Sequence, residues 1–138
     1  MLTLVVDRPG TGKSRYVRER LGDGIAYDLD AIAAALRMAA PHEEDHGPSL
    51  SVANALLPAF LEQARSFVGN VFVVRCAPTL DELQRIMPER IVVCTRQYVE
   101  PAYPFDLLAY ATRICDVMTY AEAHDIELLL VPNDAGSA

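Results

Sequence analysis

The sequence predicts an α/β domain built on a five-stranded parallel sheet with helices on both faces, a three-layer sandwich. Five short, continuously apolar runs recur along the 138 residues, separated by stretches with helical spacing. Strands apolar on both sides belong to sheets covered on both faces. The first run stops at Pro-Gly-Thr-Gly, the pattern of a buried strand entering a loop, and a helix-permissive segment follows. In such sheets crossovers are right-handed and ligands sit at the carboxyl ends of the strands.

The elements follow in order. Residues 2–7 form the first strand, and residues 13–21 a helix that Gly22-Asp23-Gly24 terminates. Residues 24–28 are a second short strand. Asp30 is placed to N-cap an Ala/Leu-rich helix over 31–40. A polar loop, PHEEDHGP, covers 41–48. Leu56, Phe60, Ala64 and Phe67, three and four residues apart, predict one long helix over 49–67. NVFVVRC at 70–76 is a third strand. Thr79 and Glu82 spell a capping box for a helix ending near Met87. RIVVCT at 90–95 is the fourth strand, 105–124 a helix, 126–131 (IELLLV) the fifth strand, and 133–138 a frayed tail.

The chain is expected to form a single domain over 1–138. It is 51% hydrophobic and 22% charged, enough for a core and inconsistent with a disordered chain. No apolar run approaches the roughly 20 residues of a membrane span, and the first residues lack the pattern of a secretory signal, so the expected location is cytoplasmic. Cys76, Cys94 and Cys115 are odd in number and widely spaced; they read as buried thiols of a reducing compartment, neither a disulfide frame nor a metal site. Net charge is −7. Residues 1–40 carry six basic and five acidic side chains, whereas 41–138 carry six basic and fourteen acidic, a distribution unsuited to an extended duplex nucleic-acid surface.

The turn after the first strand carries the clearest chemistry. Gly10 and Gly12 let backbone N–H groups wrap an anion at a helix N-terminus. Lys13, the only lysine in the chain, suits the β- and γ-phosphates of a nucleotide, and the Ser14 hydroxyl suits Mg²⁺. Pro9, Thr11 and Arg15 complete the stretch that would embrace the phosphates. Asp7-Arg8-Pro9-Gly10-Thr11-Gly12-Lys13-Ser14 resembles the Walker A motif of P-loop NTPases, with Asp7 where that motif has its first glycine. Asp tolerates unusual backbone angles, yet its carboxylate would lie near the bound phosphates.

Ala26-Tyr27-Asp28-Leu29-Asp30 places two acids at the end of the second strand. This stretch is similar to P-loop kinases with hydroxyl acceptors, such as polynucleotide kinases and zeta-toxin-like kinases. GDGIAYDLDAIAAAL also resembles small phage and prophage P-loop ATPases. The resemblance runs closely over 2–40 and loosely over 41–78. It implies ATP and Mg²⁺ as ligands, a hydroxyl acceptor of unidentified kind, and Asp28 or Asp30 as the group that orients or deprotonates that hydroxyl. Asp30 as a mere helix cap and Asp28 as a turn residue remain open beside that role.

Two features depart from the family. The third strand ends in Arg75-Cys76-Ala77-Pro78, without the Walker B aspartate, and the interval 96–104 is too short for a helical lid. Arg96 is the expected stabiliser of transferring phosphate, with Arg113 second. His42-Glu43-Glu44-Asp45-His46 reads chiefly as a solvated charge run, with a metal cluster or His46 over an acceptor pocket as lesser readings. The expected function is therefore a small ATP-dependent kinase, the alternative a non-catalytic nucleotide-binding regulatory or interaction module with a degenerate Walker A motif.

Overall fold

A computed structural model describes residues 1–6, 13–39, 48–95 and 107–132. Among the described residues there are five strands: β1 (Leu2–Val6), β2 (Ile25–Asp28), β3 (Val71–Arg75), β4 (Arg90–Thr95) and β5 (Glu127–Pro132). They form one all-parallel sheet in the order β2-β3-β1-β4-β5. Between them run α1 (Lys13–Arg20), α2 (Leu29–Leu36), α3 (Pro48–Ala55), α4 (Leu57–Ala64), α5 (Leu80–Ile86) and α6 (Leu107–Ala123). The α/β class with five parallel strands is thus as the sequence predicts, and the fourth strand has the expected limits.

Strand alternation sorts the core into two faces. Leu4, Val6, Val73, Ile91 and Val93 turn to one face and pack with Leu57 and Leu61 of α4, Leu83 and Ile86 of α5, and Val117, Tyr120 and Ala121 of α6. Val5, Phe72, Val74, Val92 and Cys94 turn to the other, under Tyr16 and Val17 of α1. Right-handed crossovers account for this division: the chain runs one way from β1 to β2, and the opposite way in its later crossovers. The arrangement is compatible with three layers.

The helix expected over 49–67 is instead two, α3 and α4, meeting at Leu56. Pro58 lies in the first turn of α4, where a missing N–H costs nothing. Inside one continuous helix the same ring would collide with the carbonyl of Asn54 and leave it without a partner. The Thr79–Glu82 capping box is present at α5. Cysteine burial corrects the sequence reading: Cys94 is buried, Cys76 is intermediate and Cys115 is exposed on α6.

Gly24 fixes the entry to β2. Its N–H donates to the Leu21 carbonyl at 2.7 Å, and a Cβ here would lie 2.5 Å from the Asn70 carbonyl oxygen and 2.8 Å from that of Leu21. Both obstacles are backbone, so the strand must move. Gly24→Ala is expected to cost about 1–3 kcal/mol, a drop of several degrees in Tm by calorimetry. An unchanged Tm would show that the β2 entry yields freely.

Candidate functional site at the carboxyl ends of β1, β2 and β3

The strand order creates a crevice. β1 and β3 are neighbours, yet the chain leaves β1 towards β2 and leaves β3 towards β4, on opposite sides. Open α/β sheets bind ligands outside such a switch point. Lys13 follows β1 and Cys76 follows β3, so these two residues flank it. Across it the Lys13 ammonium acts on Cys76, lowering the pKa of its thiol. Lys13 is 8% exposed, an unusual degree of burial for a lysine.

The next residue joins the site to β2. The Ser14 hydroxyl donates to Oδ2 of Asp28 in a close hydrogen bond. The other oxygen, Oδ1, accepts the N–H groups of Asp30 at 3.1 Å and Ala31 at 3.3 Å. Asp28 is therefore the N-cap of α2, which corrects the expectation that Asp30 caps a helix starting at Ala31. Asp28 has extended backbone and pairs with Val74 as the last residue of β2. The helix can begin directly behind it, at Leu29, two residues earlier than the alanine-rich stretch suggests. Asp30 instead lies in the first turn of α2 with an exposed side chain, where the helix dipole favours its negative charge.

Burial pushes the Cys76 thiol above its ordinary pKa. The Lys13 ammonium pulls it back, Asp30 adds to the rise, and Arg75 lowers it. Cys76 thus feels both Lys13 and Asp30, while Ser14 is bonded to Asp28. A scan against protein-family models and a search of curated proteins return no match to this chain.

Arg15, expected to help hold phosphates, forms a 3.0 Å ion pair with Glu19 one turn along α1. Arg113 of α6 donates to the Ala77 carbonyl at 3.3 Å, which brings the second of the two candidate arginines to the exit of β3. Asp7, Pro9, Gly10, Thr11 and Gly12 lie outside the described residues, as do Arg96 and the segment from His42 to His46. Among the described residues no group of three or more His, Cys, Asp or Glu side chains could hold a metal, and no helix is long and apolar enough to cross a membrane.

Sequence reasoning missed the influence of Lys13 on Cys76 and the role of Arg75 as a clamp. Arg75 donates to Oδ1 of Asn54 on α3 at 2.8 Å and closely to Glu82 of α5. Alternation along β3 turns Arg75 to the face opposite α1. The Tyr27 hydroxyl donates to the Ala53 carbonyl on that same face, and burial raises its pKa. These bonds hold α3 against the sheet and α2 with it.

Proposed function

We propose that this chain is a P-loop nucleotide-binding domain of kinase type, which transfers the γ-phosphoryl group of ATP to a hydroxyl acceptor. The observation that carries the reading is the bond from Ser14 to Asp28 beside a buried Lys13 at the switch point. A helix start leaves backbone N–H groups without intrahelical partners and favours an anion. Lys13 adds a full positive charge there and suits the β- and γ-phosphates.

Magnesium takes hard oxygen donors, commonly one or two carboxylates together with substrate phosphates. The Ser14 hydroxyl and the Asp28 carboxylate, already in contact, fit that requirement and are the residues that would hold it. When bound, the ion neutralises charge on the phosphates. Asp30, exposed within the field of Lys13 and Cys76, serves as the group that orients the acceptor hydroxyl and takes its proton. Arg96 remains the proposed partner of the transferring group.

One observation favours the alternative, a nucleotide-binding module without turnover: Cys76 stands at the end of β3, and a neutral thiol is a poor ligand for magnesium. Both readings require nucleotide binding. A thermal-shift series with ATP, GTP, ADP and AMP, with and without Mg²⁺, tests it. A hundredfold excess over Kd stabilises by about 2.7 kcal/mol, roughly 5–10 °C for a domain of this size. No shift at millimolar nucleotide with Mg²⁺ would remove both readings together.

A further inference from the structure

On the face of the sheet opposite α1, helices α4 and α5 stand apart, and a cavity of about 510 Å³ opens between them. Ligand sites commonly measure about 300–1,000 Å³. Its apolar side is formed by the exposed Pro58 and by the edges of Leu57 and Leu61, one turn apart on α4 and otherwise packed into the core. Its charged lining is Arg65, Arg75 and Arg85 against one carboxylate, Glu82, in a chain whose net charge is −7.

Glu82 is already matched, since it takes the Arg75 guanidinium in an ion pair whose two side chains are 13% and 24% exposed. Two cations remain. Arg65 enters no side-chain hydrogen bond or ion pair among the described residues. Arg85 meets Asp81 only at 3.5 Å, with both side chains more than two-thirds exposed, and so exposed a pair contributes little. Both guanidiniums are therefore available to an anion that offers more than water does.

We propose that this groove binds a small amphiphilic anion, its carboxylate held by Arg65 and Arg85 and its apolar body laid along Pro58 and the exposed edges of Leu57 and Leu61. The three arginines are ten residues apart in sequence and converge only because α4, β3 and α5 are neighbours on one face. Nothing in the site requires nucleotide, so it stands or falls independently of the proposed kinase reading.

The test uses the whole chain with methyl-labelled leucine, titrated with 2-naphthoate and, separately, with 2-naphthylmethylammonium. The carboxylate is expected to bind with Kd near ~1 mM or below, and the cation at least about tenfold more weakly. The Leu57 and Leu61 methyl resonances should move most. The double variant Arg65→Ala/Arg85→Ala, both exposed positions, should weaken the carboxylate about tenfold or more, whereas Lys13→Ala should leave it unchanged. Stationary Leu57 and Leu61 methyls, equal affinity for both probes, or full affinity in the double variant would each overturn the proposal. So would methyl shifts that follow protein concentration and not the probe, because the groove would then be a self-association surface.

Discussion

Lys13→Ala is expected to abolish the thermal stabilisation conferred by ATP and Mg²⁺ while the unliganded protein stays folded. Its ammonium is buried at the start of α1, where a phosphate it meets is held largely out of water. Removing one partner of a buried charged hydrogen bond costs about 2–5 kcal/mol, roughly thirtyfold to several thousandfold in affinity. The thiol of Cys76, which feels Lys13, has a raised pKa that keeps it uncharged near neutral pH, and a neutral group left without its neighbour costs far less than an orphaned charge. Lys13→Arg is expected to rescue little. The planar guanidinium is bulkier than an ammonium and cannot occupy the same point near the Cys76 sulfur. The check is isothermal titration with ATP and Mg²⁺, alongside far-UV circular dichroism of the free proteins. Wild-type affinity in Lys13→Ala would detach the buried lysine from nucleotide binding.

The strands were legible because a parallel sheet covered on both faces demands unbroken apolar runs, and few other structures tolerate them. The capping box at Thr79 was equally plain, being a local reciprocal bond between Thr79 and Glu82. Other features depend on competition between signals. The periodicity from Leu56 to Phe67 argues for one helix, yet Pro58 carries the stronger constraint and breaks it from α3. Asp-Leu-Asp offers two capping acids, and local sequence does not choose between them. The choice falls to Asp28 because β3 holds it in register opposite Val74 and Ser14 supplies a second bond. Contacts made by strand order were invisible. Cys76 feels Lys13 only because β1 and β3 are neighbours whose paired residues, such as Leu2 and Val71, lie 69 positions apart in sequence, and the Arg75 clamp depends on helices that the chain reaches before and after its strand.

The two aspartates of that same stretch are expected to fail in different ways. Asp28→Asn keeps an oxygen for the α2 N–H groups, so the cap persists and stability should change little. It replaces the anionic oxygen beside Ser14 with an amide, however, and so removes the carboxylate proposed to hold magnesium. Its expected effect is a loss of Mg²⁺-dependent ATP affinity. Asp28→Ala loses the cap as well and should cost about a further 1 kcal/mol of stability. Asp30 has no such structural bond through its side chain among the contacts described at α2, and its proposed work concerns the acceptor's proton. Asp30→Asn should therefore bind ATP with nearly wild-type affinity and lower transfer by about 10²–10⁴, the usual cost of deleting a general base. The measurement is transfer of labelled γ-phosphate across a panel of nucleosides, oligonucleotide 5′ ends, sugars and peptides, beside ATP titrations of each variant. Unaltered transfer in Asp30→Asn, with transfer lost and ATP affinity retained in Asp28→Asn, would exchange the two roles. Wild-type protein that binds ATP and Mg²⁺ well and labels no acceptor would leave the non-catalytic module as the better account, with Cys76 at the end of β3 as its structural mark.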